Sequence, residues 1–269
     1  MKSYPALDIR STDNDIVYAA LDDFAPTAIE ETANGLRAFF TVGESRDRAL
    51  ADLSWRFHVS PVDVPDEDWA RRSQENLVPV TVGRITVVPG TSHATSPAGT
   101  TIAIVIQPSM GFGTGHHATT RLCLAALQTI DLPGKTFLDI GTGSGVLAIA
   151  ASVLGAGKAI GVDVDPDAVQ SATENLSLNA AASTVSFIQA DLDTAPLPAC
   201  DVVAANLTGA LLVRSADRIL ATAAPRGYVI LSGLMRDERD DVCRAFKGTA
   251  ITWERQEDEW VGIVVKKTQ

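Results

Sequence analysis

The sequence predicts an α/β protein in which a doubly wound parallel sheet follows a small α+β unit. Strands and helices alternate from Ala118 onward, which is typical of parallel strands with helices on both faces of the sheet. Residues 138–165 read LDIGTGSGVLAIAASVLGAGKAIGVDVD, that is, strand, glycine turn, helix and strand. Residues 1–65 contain shorter elements in a different order, which indicates a separate domain.

The first domain, residues 1–65, is predicted to be a small ferredoxin-like α+β module. Its helices and strands follow from apolar spacing, and Asn34-Gly35 is typical of a two-residue hairpin turn. In chain order we predict a strand at 4–10, a helix at 13–22, strands at 27–32 and 36–42, a helix at 45–57 and a strand at 58–64. This βαββαβ order is that of a ferredoxin-like fold.

Residues 66–80 are predicted to link the two domains. Pro61, Pro65 and the acidic residues 66–68 mark a polar boundary, and residues 69–76 resemble a short helical linker. Two strands are predicted next, at 85–88 and 101–106, with a surface loop rich in Gly, Ser, Thr, Ala and Pro between them.

Residues 81–269 are predicted to form the second domain, which contains the main sheet. Its predicted strands are 136–140, 159–163, 185–189, 202–206, 228–232, 250–255 and 260–265. Seven strands that end in a hairpin predict a Rossmann-like seven-stranded sheet. After the second strand, Asp165 is predicted to cap a helix that has Pro166 at its first position.

The turn after the first of these strands indicates a nucleotide-like ligand. It reads D-x-G-x-G-x-G from Asp139, with glycines at Gly141, Gly143 and Gly145, and the next strand ends in Asp163. Glycines let the backbone turn sharply and approach a ligand closely. An acid at the end of the second strand can accept hydrogen bonds from both hydroxyls of a ribose.

The position of the glycines favours S-adenosylmethionine (SAM) over a dinucleotide. A dinucleotide-binding turn has a third glycine where this chain has Val146. The Asp139 carboxylate would repel a pyrophosphate, whereas it suits the amino group and sulfonium of SAM. A glycine-rich turn in another α/β fold is the alternative. Asp139, Gly141, Gly143 and Asp163 are therefore candidate SAM-binding residues.

Composition and charge exclude several functional classes. Hydrophobic residues make up 46% and charged residues 20%, as in ordinary soluble enzymes. The net charge of −11 and pI near 4.7 argue against direct nucleic-acid binding and suit a basic partner. Three widely spaced cysteines give no disulfide framework or metal motif. Without a signal peptide or membrane span, we expect a cytoplasmic location.

A second candidate segment, QPSMGFGTGHHATTR at 107–121, precedes the glycine turn. Phe112 is placed to cover the cofactor or the acceptor, and Thr119 or Thr120 at a helix N-terminus can bind the methionine carboxylate. A flexible linker with a threonine cap is the alternative. His117 is a candidate for proton transfer. We expect no metal at His116-His117, because adjacent side chains rarely point at one ion.

Two further candidates follow the third and fourth strands of the sheet. Asn206 ends the segment DVVAAN, where ligands of doubly wound sheets bind, and it is predicted to contact SAM and to hold the acceptor nitrogen. An Asn that caps the next helix is the alternative. Asp191 is predicted to accept a hydrogen bond from the adenine amino group, although a turn residue is an equal alternative.

These segments together resemble the bacterial PrmA family, the methyltransferases of large-subunit ribosomal protein eleven. The matching strings are MGFGTGHHATTRLCLAAL, FLDIGTGSGVLAIAA, GVDVDPDAVQSATEN, DVVAANL and GYVILSGLMRDE. The resemblance covers most of residues 66–269. It implies SAM contacts at Thr119 or Thr120, Gly141, Asp163 and Asn206, and a first domain that recognises the substrate.

The resemblance further implies methyl transfer to lysine side-chain and N-terminal amines of a basic ribosomal protein. The chain departs from the family in its linker and at Thr208-Gly209, so the substrate is less constrained than the reaction. The alternatives are a small-molecule methyltransferase and a non-catalytic SAM-binding or ribosome-associated factor. A dinucleotide oxidoreductase fits the glycine turn less well. The sequence does not define the oligomeric state, and a monomer is compatible with it.

Overall fold

The chain divides into two compact units, Met1–Asn76 and Leu77–Gln269. The structure is a computed structural model that describes residues 3–11, 17, 20–21, 24, 26–32, 35–65, 78–90, 101–107 and 116–268. The predicted helical linker at 69–76 lies outside the described residues. The predicted boundaries at 65 and 80 therefore stay predictions.

The first unit contains one four-stranded antiparallel sheet. Its elements are β1 (Ser3–Arg10), β2 (Ala28–Thr32), β3 (Gly35–Phe39), helix α1 (Gly43–Leu53) and β4 (His58–Pro65). The strand order β2-β3-β1-β4 is that of the predicted ferredoxin-like fold. Most of the predicted helix at 13–22 lies outside the described residues, and Val17, Ala20 and Leu21 within it are helical.

One face of this sheet carries the core of the first unit. Leu7 and Ile9 of β1 pack with Leu36 of β3 and with Ala49 and Leu53 of α1. These positions alternate along each strand, as expected for a half-buried sheet. Helix α1 ends at Leu53, four residues before the predicted end.

The second unit begins with a small three-stranded sheet. Its strands are β5 (Val80–Val82), β6 (Ile85–Pro89) and β7 (Ile102–Ile106). β6 pairs antiparallel with β5 and parallel with β7. The sequence predicts β6 and β7 but not the short strand β5.

A seven-stranded sheet forms the centre of the second unit. Its elements are α2 (Ala118–Leu127), β8 (Thr136–Ile140), α3 (Val146–Val153), β9 (Lys158–Asp163), α4 (Pro166–Ser177), β10 (Val185–Gln189), β11 (Cys200–Asn206), α5 (Gly209–Arg214), α6 (Ala216–Ala221), β12 (Ala223–Met235), α7 (Arg239–Ala245), β13 (Thr249–Glu257) and β14 (Trp260–Lys267). The strand order is β10-β9-β8-β11-β12-β14-β13, and only β14 runs opposite to the others. The predicted Rossmann-like sheet is confirmed.

Alternating side chains of the central strands fill one core on each face of this sheet. Phe137 belongs to the core that contains α3, and Leu138 belongs to the core on the other face. Helix α3 reads VLAIAASV and is buried along nearly its whole length, as an all-apolar helix must be. Among the described residues, no helix is both long and apolar enough to cross a membrane.

The sheet topology determines where a ligand can bind. β8 is flanked by β9 on one side and by β11 on the other, and all three strands run parallel. The chain runs from β8 outward to β9 and β10 on one side and then crosses to β11 on the other side, and this reversal of strand order opens a crevice at the carboxyl ends of the strands. The glycine turn after β8 and the end of β11 both lie at this edge.

Candidate active site

The glycine turn follows β8 and is held tightly against β9. Gly141, Gly143 and Gly145 have φ angles of 71°, 52° and 81°, a region that glycine adopts without steric cost. The backbone N–H groups of Gly141 and Thr142 donate to the Val162 carbonyl at 2.9 and 3.0 Å. Backbone hydrogen bonds therefore hold the turn against β9, in a conformation that its glycines allow.

Asp139, the acid that precedes this turn, is buried in the sheet. Its Oδ2 accepts a hydrogen bond from the Thr142 hydroxyl at 2.6 Å, while its Oδ1 has no hydrogen-bond partner among the described residues. Burial raises the Asp139 pKa to about 7, and the negative charge of Asp163 adds to this rise. The hydrogen bond from Thr142 and the nearby N–H of Ala148 oppose it. A cationic group beside Oδ1 would favour the ionised form.

Asp163 ends β9 and is only partly buried. Its Oδ2 accepts from the Gly143 N–H at 3.0 Å and its Oδ1 from the Asp165 N–H at 3.1 Å. These bonds fix the carboxylate beside the glycine turn and leave further lone pairs for a ligand. The predicted cap is confirmed, because Asp165 accepts from the Asp167 N–H at 2.9 Å and Pro166 follows it.

Asp191 lies just beyond the end of β10, and its side chain binds its own turn. Oδ1 accepts from the Asp193 N–H at 2.8 Å and Oδ2 from the Thr194 hydroxyl at 3.2 Å. This is the turn role that the sequence offered as an alternative. A contact with adenine would use the remaining lone pairs, so that role stays a prediction.

His117 caps the N-terminus of α2. Its Nδ1 accepts from the Thr119 N–H at 3.3 Å and lies 2.8 Å from the Thr119 hydroxyl. The threonine cap considered from the sequence is therefore wrong. Burial lowers the His117 pKa, and the positive charge of Arg121 lowers it further against the opposing effect of Glu259.

Arg121 and Trp260 surround this helix N-terminus. The Arg121 guanidinium donates to the His116 carbonyl and to the Glu257 carboxylate. The Trp260 ring meets the His117 ring edge-on at 4.9 Å. The sequence analysis assigned Trp260 only to a strand, and nothing local in the sequence signals this contact.

The two adjacent histidines have separate partners. His116 Nε2 lies 2.9 Å from the Val78 carbonyl, while His117 binds Thr119. Within the described ranges, no group of three or more His, Cys, Asp or Glu residues could hold a metal ion. The structure thus assigns hydrogen-bonding roles to both rings.

Asn206 is the last residue of β11 and lies opposite Ser232 of β12. Its Oδ1 is buried without a hydrogen-bond partner in the part of the chain that the structure describes. The capping alternative is wrong, because the next helix has Thr208 at its N-cap and no side-chain cap bond. A buried amide oxygen in this state is an acceptor available for a donor from a ligand.

The backbone after Asn206 is fixed by β12. The Leu207 N–H donates to the Ser232 carbonyl at 3.0 Å. Gly233 follows with φ 83°, and a Cβ placed there would lie 2.3 Å from the Leu207 carbonyl oxygen. This close approach positions the residues that leave β11.

Three predicted site residues have a buried oxygen without a partner in the described structure. They are Asp139 on β8, Asn206 on β11 and Thr120 on α2. The Asp139–Ala204 register brings β8 and β11 together, and α2 packs on β11. The Asp139 and Asn206 oxygens are acceptors that fit a ligand with N–H donors and positive charge, as SAM and an amine have, whereas the Thr120 hydroxyl can also donate to an anionic group. Phe112 lies outside the described residues.

A seven-stranded sheet of this order, with an acid-flanked glycine turn after β8, defines the class of SAM-dependent methyltransferases. The sequence matches the profile of the ribosomal protein L11 methyltransferase (PrmA) family over residues 14–268. The chain belongs to that family.

Individual relatives agree with this assignment. The ribosomal protein L11 methyltransferase of Geobacter sulfurreducens is 38% identical over 267 residues, covering 92% of this chain and 87% of that protein. The Deinococcus radiodurans protein of the same name is 36% identical over 86% of this chain and 82% of its own length. A crystal structure of ribosomal protein L11 methylase from Lactobacillus delbrueckii subsp. bulgaricus superposes with a TM-score of 0.66 and 23% identity, over 72% of this chain and 100% of that one. This superposition shows the shared fold.

Proposed function

We propose that this protein transfers methyl groups from SAM to amines of the basic ribosomal protein L11. The observation that carries the proposal is the buried Asn206 Oδ1, which has no partner among the described residues at the end of β11. An amine nitrogen provides the N–H donor that this oxygen lacks. The names of the relatives supply the protein substrate, and the family resemblance suggests lysine side-chain and N-terminal amines.

The cofactor would be held by residues around the glycine turn. Asp163 is proposed to accept the ribose hydroxyls and Asp139 the methionine ammonium group. The turn at Gly141 and Gly143 lets the ligand approach the backbone. When bound, SAM supplies an electrophilic methyl group.

Three further contacts complete the proposed cofactor site. Thr119 and Thr120 are proposed to bind the methionine carboxylate near the N-terminus of α2, where the helix dipole favours an anion. Asp191 would accept from the adenine amino group. Phe112 would cover the reacting centre, and its side chain lies outside the described residues.

Asn206 is proposed to hold the acceptor nitrogen in its neutral form. A free lysine amine has a pKa of about 10.4 and is mostly protonated at neutral pH. Burial beside a positive sulfonium lowers that pKa. Asn206 Oδ1 accepts one N–H, so that the lone pair can attack the methyl carbon as the sulfur–carbon bond breaks. Alignment supplies most of the acceleration.

We infer that His117 positions α2 and that water receives the proton. The Nδ1 lone pair of His117 already accepts the Thr119 N–H, so neutral His117 carries its proton on Nε2. That arrangement suits a helix cap better than a general base. Of the two proton acceptors considered from the sequence, His117 or water, the geometry favours water.

The two predicted domains are proposed to have separate functions, substrate recognition and methyl transfer. Residues 1–65 would recognise the protein substrate, residues 66–80 would link the domains, and residues 81–269 would carry out transfer. The negative charge of −11 suits a basic substrate. A ribosomal substrate further implies a cytoplasmic location.

Incubation with labelled SAM tests this proposal. The acceptors are purified ribosomal protein L11 and, in parallel, a lysate from bacteria that lack their own L11 methyltransferase. Label in L11, mapped to amines by mass spectrometry, supports the proposal. Label in another protein or only in small molecules overturns the substrate, and SAM binding without any labelled product overturns the catalytic role.

A further inference from the structure

Asn175, in the last turn of α4, connects two segments that are far apart in the chain. Its side chain is 1% exposed. Nδ2 donates to the Ser144 carbonyl in the glycine turn at 2.9 Å, and Oδ1 accepts from the Gln107 N–H just after β7 at 2.8 Å. One amide group thus joins the main sheet's glycine turn to the small sheet.

The bond to Ser144 fixes one peptide plane of the turn. The carbonyl oxygen of this plane is held by Asn175, and its N–H, which belongs to Gly145, donates to the Thr142 carbonyl at 2.9 Å. Gly145 is the N-cap of α3 with φ 81°. Both polar ends of the peptide are therefore fixed at the point where the turn becomes a helix.

Asn179, one turn further along, provides an internal comparison. Its Oδ1 accepts from the Val105 N–H at 2.9 Å, and its Nδ2 donates to the Val105 and Asn175 carbonyls at 2.7 Å each. Asn179 is also buried and supports the same strand β7. It makes no hydrogen bond to the glycine turn.

We propose that Asn175 is a positioning residue that fixes the glycine turn for cofactor binding and couples the occupancy of the turn to the end of β7. The inference rests on the proposed SAM site, because it assigns that site a buried support outside the residues that touch the ligand. Asn179 has only the structural part of this role. Substitution of either residue should therefore lower the stability of the protein, but only substitution of Asn175 should weaken cofactor binding.

The test compares Asn175→Ala with Asn179→Ala, using S-adenosylhomocysteine as the probe. Asn179→Ala removes three hydrogen bonds and Asn175→Ala removes two, so Asn179→Ala should lower the melting temperature at least as much. Calorimetry should nevertheless show a Kd raised about ten-fold for Asn175→Ala and unchanged for Asn179→Ala, because only Asn175→Ala removes a side-chain hydrogen bond to the glycine turn. The proposal is overturned if the two variants have equal Kd values, or if the loss of affinity in each variant simply parallels the decrease in its melting temperature.

Hydrogen exchange on the wild-type chain provides a second test that does not depend on the variants folding. Binding of S-adenosylhomocysteine should slow the exchange of the Gln107 backbone N–H, which donates to Asn175 Oδ1, more than that of the Val105 backbone N–H, which donates to Asn179 Oδ1. Identical changes at both amides contradict the coupling. If the wild-type protein itself fails to bind the probe, the proposed function fails; if it binds and the contrast is absent, only this inference fails.

Discussion

The carboxyl ends of β9 and β11 differ in how their polar side chains are satisfied. At the end of β9, both oxygens of Asp163 accept backbone N–H groups, from Gly143 and Asp165. At the end of β11, the Asn206 oxygen is buried and has no partner in the described structure. The Asp163 carboxylate is thus held by donors within the protein, whereas Asn206 Oδ1 has no donor among the described residues.

We expect this difference to separate the proposed cofactor-binding role of Asp163 from the proposed catalytic role of Asn206. A carboxylate fixed by backbone donors is preorganised before the cofactor arrives, so it contributes mainly to affinity. A buried acceptor that gains its partner only with the amine contributes mainly to the reaction step. Substitutions at the two strand ends should therefore affect different kinetic constants.

The largest expected effect is at Asn206. Asn206→Ala should lower kcat about 100-fold, because one preorganised polar contact to the reacting group is lost. The Kd for S-adenosylhomocysteine should stay within about two-fold, since the cofactor keeps its other polar contacts. Single-turnover kinetics and calorimetry measure the two quantities.

Thr208→Ala serves as the matched control for this variant. Thr208 is exposed and makes no side-chain cap bond, so both kcat and Kd should stay near the wild-type values. A kcat for Asn206→Ala equal to that of the control would contradict the acceptor role.

Asp163 should show the reverse pattern. Asp163→Ala removes the proposed charged acceptor of the ribose hydroxyls and should weaken S-adenosylhomocysteine binding by about 2 kcal/mol, or about 30-fold. The kcat at saturating SAM should change less. The control Asp165→Ala removes only the α4 cap, so it should lower stability by about 1 kcal/mol and leave the Kd unaltered. A Kd loss shared by both variants would assign the effect to α4.

The pH dependence of cofactor binding should show whether the Asp139 carboxylate binds the ammonium group of the cofactor. Burial raises the Asp139 pKa to about 7 in the ligand-free protein. The protonated carboxyl group therefore stabilises the ligand-free folded protein at low pH, and this stabilisation is lost as the pH rises through about 7. An ammonium group requires the ionised carboxylate. Affinity for S-adenosylhomocysteine should therefore rise about ten-fold between pH 6 and pH 8, with release of a proton.

Calorimetry in two buffers of different ionisation enthalpy measures this proton release. Asp139→Asn cannot titrate, so its affinity should be weaker and nearly independent of pH over the same range. A wild-type affinity that is flat with pH would show that Asp139 does not face the cationic group.

The smallest expected effect concerns the His117 cap. Because the His117 pKa is lowered in the folded state, its stabilising contribution is present above the unfolded pKa of about 6.5 and is lost as pH falls below it. Protonated His117 cannot accept the Thr119 N–H. Urea unfolding of His117→Ala should show a loss of about 1 kcal/mol at pH 7.5 and a smaller loss at pH 5.5. An equal loss at both values would exclude the titrating cap.

Local features of the sequence predict most of the fold. The seven strands, the glycine turn and the Asp165 cap follow from apolar spacing and from residue types with strong conformational preferences. The bounds are less predictable: β12 extends from Ala223 to Met235, although Gly227 and Gly233 limit the apolar run to the residues between them. Strand β5 has only three residues, too few for a periodicity.

Site residues are predictable from the sequence where the chemistry of the ligand requires a particular residue type. They are less predictable where packing between distant parts of the chain determines which hydrogen bonds a side chain makes. His117 acts as a cap although histidine is not a preferred N-cap residue. The bonds of Asn175 reach residues 31 and 68 positions away, so no local pattern indicates them. Likewise, no local pattern indicates that Asn206 Oδ1 is buried without a partner among the described residues.

The close contact between Gly233 and Leu207 limits how this enzyme can evolve. Any other residue at 233 would need a left-handed backbone and would push its Cβ into the Leu207 carbonyl, displacing the chain beside Asn206. Neither natural drift nor laboratory selection can readily use this position to change acceptor preference. Substitutions at the exposed Thr208, by contrast, meet no such backbone contact.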